Sequence, residues 1–227
     1  MTKQQIPVLA ARLVEFQEEF SRMFSEDGQW AIQNTAEAIF LFIDAVANRK
    51  KPVDQPAPVV TVLGDIVSSA VIHARTEKFV AENELVLDTG KQAKVKISYL
   101  GDNFKNWFFG KEEILFSNTL IHGRQLNKNS VDGPILAELG GQEKAKTTLA
   151  EIYAMMECQA NGESGPLLNN GYVNIFYVPD VNGTLRAVDV YWDDNGWNVD
   201  AYSVEDPDEW LADRRVFSRN SSGPQNV

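Results

Sequence analysis

The sequence predicts an α+β protein. A helical hairpin over residues 1–51 leads through a proline-rich linker over 52–58 into a mixed domain over 59–220, which closes in a C-terminal antiparallel β-meander; a polar tail covers 221–227. Three observations carry this reading. Apolar residues near the N-terminus recur at helical spacing. Pro52, Pro56 and Pro58 then forbid helix continuation. From Tyr172 onward, apolar and polar residues alternate between strong turn signals.

Ile6, Leu9, Leu13, Phe16, Phe20 and Met23 alternate spacings of three and four, a seam along one side of a helix. Pro7 falls in the first turn, where its missing N–H is harmless, and Gly28 ends the pattern. Ile32, Ala36, Ile39, Ile43 and Val46 line a second helix, widened by Phe40 and Phe42. A short connection, Ser25 to Gly28, makes the pair an antiparallel hairpin. Such a seam stabilises only when covered, so the pair packs on its own chain or on a second copy. Self-association through these helices is therefore the homo-oligomer route that the sequence offers.

Beyond the linker, Val59 to Val71 reads as a strand despite Gly64. Phe79 to Leu87 and Ala93 to Leu100 flank Asp88-Thr89-Gly90-Lys91-Gln92, predicting a hairpin. Asn103 to Phe109 suits a short amphipathic helix anchored by Phe104, Trp107 and Phe108. Thr119 to Leu126 is a further strand. Gly140-Gly141 precedes a helix over Gln142 to Gln159 with Leu149, Ile152, Tyr153 and Met156 on its face. Cys158, within that helix, reads as a small buried hydrophobe. The meander comprises Val173 to Val178, Leu185 to Trp192 and Trp197 to Tyr202. Its turns carry Asn182-Gly183 and Asn195-Gly196, the pairs that accept positive φ.

Composition narrows the function. The 227 residues are 44% hydrophobic and 23% charged, ordinary for a globular chain that buries a core. A formal net charge of −11 opposes any sequence-independent grip on phosphate backbones, so no direct nucleic-acid binding is expected. No h-region follows Met1. The most apolar run, Ala36 to Ala47, is about twelve residues long and contains Glu37 and Asp44, short of the roughly twenty that a membrane span needs. No membrane association is expected, and the expected address is the cytoplasm. The single Cys158 excludes an intrachain disulfide.

Catalytic signatures are missing. His73 and His122 have no acidic or cysteine neighbour at ligand spacing, so no metal is expected. No Gly-x-Ser-x-Gly elbow and no Walker-type loop occurs, and no cofactor is expected. Asp193-Asp194-Asn195-Gly196 imitates a calcium loop, but its glycine comes two residues early and Val204 stands where the twelfth-position glutamate belongs. Asp206-Pro207-Asp208-Glu209 reads as a turn or helix cap ahead of Trp210.

The aromatic inventory has binding content. By alternation Arg186, Val188, Val190 and Trp192 share one face, leaving Leu185, Ala187, Asp189 and Tyr191 on the other. Asn198, Asp200 and Tyr202 alternate with Trp197, Val199 and Ala201. Asp189, Tyr191, Asp200 and Tyr202 thus form a candidate ligand-binding face, because tyrosine and aspartate on a rigid sheet combine contact area with hydrogen bonding. The expected function is a non-enzymatic binding or protein-interaction module, with a protein as partner. Two alternatives are an acidic inhibitor that imitates nucleic acid and a hydrolase that works through carboxylates.

Several motifs recur together: Ser130-Val131-Asp132-Gly133-Pro134-Ile135, Ala137-Glu138-Leu139-Gly140-Gly141, Leu168-Asn169-Asn170-Gly171-Tyr172 and Asp180-Val181-Asn182-Gly183. A closing pattern follows in Gly196, Trp197, Val199, Ser203, Val204, Pro207 and Val216-Phe217-Ser218-Arg219-Asn220, and the block Val95 to Phe104 belongs with it. In these motifs the chain resembles a family of uncharacterised bacterial proteins. The likeness excludes the N-terminal hairpin. It implies a bacterial source and a coherent domain over about residues 59 to 220, and it carries no activity and no catalytic residue.

Overall fold

The computed structural model describes residues 61–114 and 117–219, which belong to a unit spanning Val60–Val227. The hairpin predicted over 1–51, the linker over 52–58 and the tail over 221–227 lie outside the described residues. In chain order the elements are β1 (Leu63–Ile72), β2 (Phe79–Val80), α1 (Ala81–Glu84), β3 (Ile97–Leu100), α2 (Asp102–Phe108), β4 (Glu112–Glu113) and β5 (Thr119–Leu126). Three helices come next: α3 (Asp132–Glu138), α4 (Gln142–Ala145) and α5 (Leu149–Glu157). The chain then forms β6 (Asn174–Pro179), β7 (Leu185–Asp193), β8 (Gly196–Ser203) and β9 (Arg215–Ser218).

Seven strands form one sheet in the order β1-β5-β9-β6-β7-β8-β3, and β2 with β4 makes a separate two-stranded ribbon. This corrects the predicted fold class. The described residues are mostly β-structure in a mixed sheet with few, short helices, and the meander is not a self-contained antiparallel unit. β6 runs parallel to β9 and β8 parallel to β3. Alternation within a strand says which side chains share a face. It is silent on which distant strand supplies the next ladder, and both parallel pairings join segments far apart in the chain.

Two further expectations fail for local reasons. The hairpin expected around Asp88 to Gln92 is reduced to one bridge, in which Asp88 and Ile97 exchange N–H···O bonds of 3.0 and 2.9 Å. The chain after β2 turns helical as α1, and β3 goes to β8 instead. The helix predicted over Gln142 to Gln159 is interrupted, because the Thr147 N–H donates to the Tyr177 carbonyl at 2.8 Å. Helix resumes only where Thr148 and Glu151 form a capping box: Thr148 Oγ1 accepts from the Glu151 N–H, and Glu151 Oε2 accepts from the Thr148 N–H. Cys158 then lies past the end of α5 and is exposed, not buried.

The central strands of the sheet carry buried side chains on both faces, and that decides where a site can lie. Phe176, Val188, Val190, Trp197, Val199 and Phe217 join the α2 and α5 side chains in one core, with the Phe176 and Phe217 rings stacked at 4.8 Å. Ile175, Tyr177, Leu185, Ala187 and Val216 form the second with Ile135 and Leu136 of α3. Each fully buried Val, Ile or Phe among them stabilises by about 1.5–3 kcal/mol.

Candidate functional site

The antiparallel register of β7 and β8 sets Asp189 opposite Asp200, Tyr191 opposite Asn198 and Ala187 opposite Tyr202. The parallel register of β3 brings Tyr99 beside Asn198. Asp189, Tyr191, Asp200 and Tyr202 therefore stand together on one face, as the alternation predicts, and Tyr99 joins them. The face is not an open one, however. Leu185 and Ala187 belong to the second core, and Asp189 is only 5% exposed. Tyr191, Asp200 and Tyr202 are half-buried, while Tyr99 on the edge strand is 47% exposed.

Burial sets the electrostatics here. It pushes the Asp189 carboxyl up to about 7 from its ordinary 3.8, and the opposing Asp200 charge adds to the rise. The Asp200 N–H donates to Asp189 Oδ1 at 3.0 Å and works the other way. Like charges directly across a ladder destabilise it, and a retained proton relieves that repulsion. Asp200 itself accepts from the Ala201 N–H at 2.7 Å. Its carboxylate lies so close to Gly101, just ahead of α2, that a Cβ there would overlap it. The Tyr202 phenol is raised mainly by burial, then by Asp189, Asp200, Tyr191 and Tyr99, so all five groups share one field.

Tyr202 also borders a second feature. Its ring meets Trp210 edge-on at 5.7 Å and 85°. Trp210 is held by paired backbone bonds with Ser130, and its Nε1–H donates to Asp132 Oδ1 at 2.8 Å. The Tyr177 hydroxyl, rising from β6, donates to the same oxygen at 2.6 Å. Asp132 is 2% exposed. Burial raises its carboxyl, the two donors lower it, and the Asp206 charge raises it further. A hollow of about 130 Å³ opens between Tyr202, Trp210, Asp132, Asp206, Asp208 and Glu209. The acidic corner is locally the turn expected of it, since the Asp208 N–H donates to Asp206 Oδ1 at 3.1 Å. The structure adds that this turn walls a cavity.

Sequence reasoning reached the four strand residues and missed Tyr99, Asp132 and Trp210. Asp132 and Trp210 are 78 positions apart, and no local pattern links them. Among the described residues, no group of three or more His, Cys, Asp or Glu side chains converges as a metal-ion site. His122 Nδ1 lies 2.9 Å from Ser69 Oγ, and among the described residues no carboxylate is hydrogen-bonded to that pair. The arrangement offers tyrosine and tryptophan rings beside carboxylate acceptors, which suits recognition of a ligand that is partly apolar and partly a hydrogen-bond donor.

Compared with protein-family models, curated proteins and solved structures, the chain gives no significant match in any of the three. Among the described residues no helix is long and apolar enough to cross a membrane.

Proposed function

We propose that this protein is a non-enzymatic binding module and that its recognition surface is the tyrosine and aspartate face of β3, β7 and β8. One observation carries the reading: Tyr99, Tyr191 and Tyr202 gather around the directly opposed Asp189–Asp200 pair on a rigid sheet. Tyrosine contributes large amphipathic area at low conformational cost, and such residues dominate the energetics of recognition surfaces. A face built for stability alone would not set two carboxylates opposite one another beside a core. The partner that best fits the face is a protein.

A random-peptide library displayed on phage and selected on the full chain tests this. Selected binders are expected to lose about tenfold or more in affinity for Tyr191→Ala and for Asp200→Asn. Binders that hold both variants as tightly as the parent protein would refute the assignment of this face.

A further inference from the structure

The hollow beside Tyr202 deepens that reading, and rests on it, by naming what part of a partner it takes. We propose that it seats an aliphatic ammonium group, the end of a lysine side chain on the partner protein. Asp132 carries the argument. It is almost wholly buried, and both of its hydrogen bonds, from Tyr177 and Trp210, fall on one oxygen, Oδ1. Among the described residues its other oxygen, Oδ2, accepts nothing, although the residue lines the hollow. A buried carboxylate is costly unless a cation or several donors compensate it. Two neutral donors compensate one oxygen and leave the other without a protein partner.

The walls decide which cation fits. Tyr202 and Trp210 present aromatic surface, and a ring face attracts an ammonium group through its quadrupole. Half-buried Asp206 and exposed Asp208 and Glu209 also line the hollow, and their charges draw a basic chain in without fixing its geometry. The carboxylates do not converge as an inorganic ion requires. At about 130 Å³ the hollow holds the equivalent of roughly four water molecules of about 30 Å³ each. That is room for the last methylenes and ammonium of a lysine. It is no room for a folded ligand, so the rest of the partner lies on the tyrosine face, which Tyr202 joins to the hollow. A net charge of −11 adds long-range attraction for a basic segment.

The experiment is a nuclear magnetic resonance titration of the full chain, following the Trp210 indole N–H. The probes are an N-acetyl-lysine amide and the same compound acetylated on its side-chain nitrogen. The lysine probe should shift the Trp210 signal saturably, and the neutral probe should not. Asp132→Asn keeps an acceptor for Tyr177 and Trp210 and removes the charge; it should weaken the lysine probe about tenfold or more. Glu209→Gln, at the exposed rim, serves as a second variant with no role in the fold and should weaken binding less. Equal response to both probes, no saturable response, or unimpaired binding by a folded Asp132→Asn protein would each overturn the ammonium assignment. Those results would leave the dependence of selected peptides on Tyr191 and Asp200 intact, so the two readings fail separately.

Discussion

Asp189 gives the sharpest quantitative expectation. In the folded protein its carboxyl keeps a proton up to about 7, against an ordinary value of 3.8. The folded state therefore binds that proton more tightly than the unfolded chain does. Its contribution to stability is complete below pH 3.8 and is lost as pH rises through 7. The interval is about three pH units, and at about 1.36 kcal/mol per unit the loss totals roughly 4 kcal/mol. Asp189→Asn preserves the size of the side chain and the oxygen that accepts from the Asp200 N–H, and it cannot ionise. Urea unfolding of both proteins between about pH 4 and about pH 8 reads the effect, because titrating groups remote from the pair cancel in the difference. The variant should gain on the parent steadily with pH and be more stable by up to about 4 kcal/mol at the alkaline end. Parallel stability curves would refute the assignment of a raised Asp189 and, with it, the strain argument for the opposed pair.

Two other substitutions test the packing around the site. Gly162 has φ +74, and a Cβ there would overlap the Trp192 indole, so Gly162→Ala should lower stability by about 2–4 kcal/mol, read as a shift in denaturant midpoint at unchanged slope. Tyr177→Phe removes one of the two donors to the buried Asp132; it should cost about 1–3 kcal/mol in the same assay and move the Trp210 indole N–H signal.

Much of the local structure was legible in the sequence. The strand read over Thr119 to Leu126 is β5, the aromatic helix is α2 within a residue at each end, and the three runs of the meander are β6, β7 and β8. In each case the deciding signal, a two- or four-residue periodicity or an Asn-Gly turn, lies within the element itself. What failed was long-range. β9 has four residues and no alternation long enough to notice, yet it makes one of the two parallel pairings in the mixed sheet. The capping signal, a hydroxyl at Thr148 with Glu151 three residues on, was present and would have divided the helix read over Gln142 to Gln159. The site divides the same way. Asp189, Tyr191, Asp200 and Tyr202 follow from register across one tight turn, whereas Tyr99, Asp132 and Trp210 arrive by tertiary contacts that no periodicity encodes. The burial of Asp189 was equally invisible, because alternation told the two faces apart without revealing that both are covered.

The position of β9 has a consequence for how the chain acquires its shape during synthesis. This strand lies between β5 and β6, with Val216 in one core and Phe217 in the other. Among the described strands it is the sole link in the ladder between the β1–β5 pair and the rest. A ribosome-bound chain that has already made β5 and the meander therefore holds two sheet fragments with facing open edges. They cannot join until residue 218 emerges, which at about 5–20 residues per second comes several seconds after β5. Through that interval the unpaired backbone of β5 and β6 is exposed to other nascent chains. Pairing of those edges with other chains thus competes with completion of the sheet until β9 arrives.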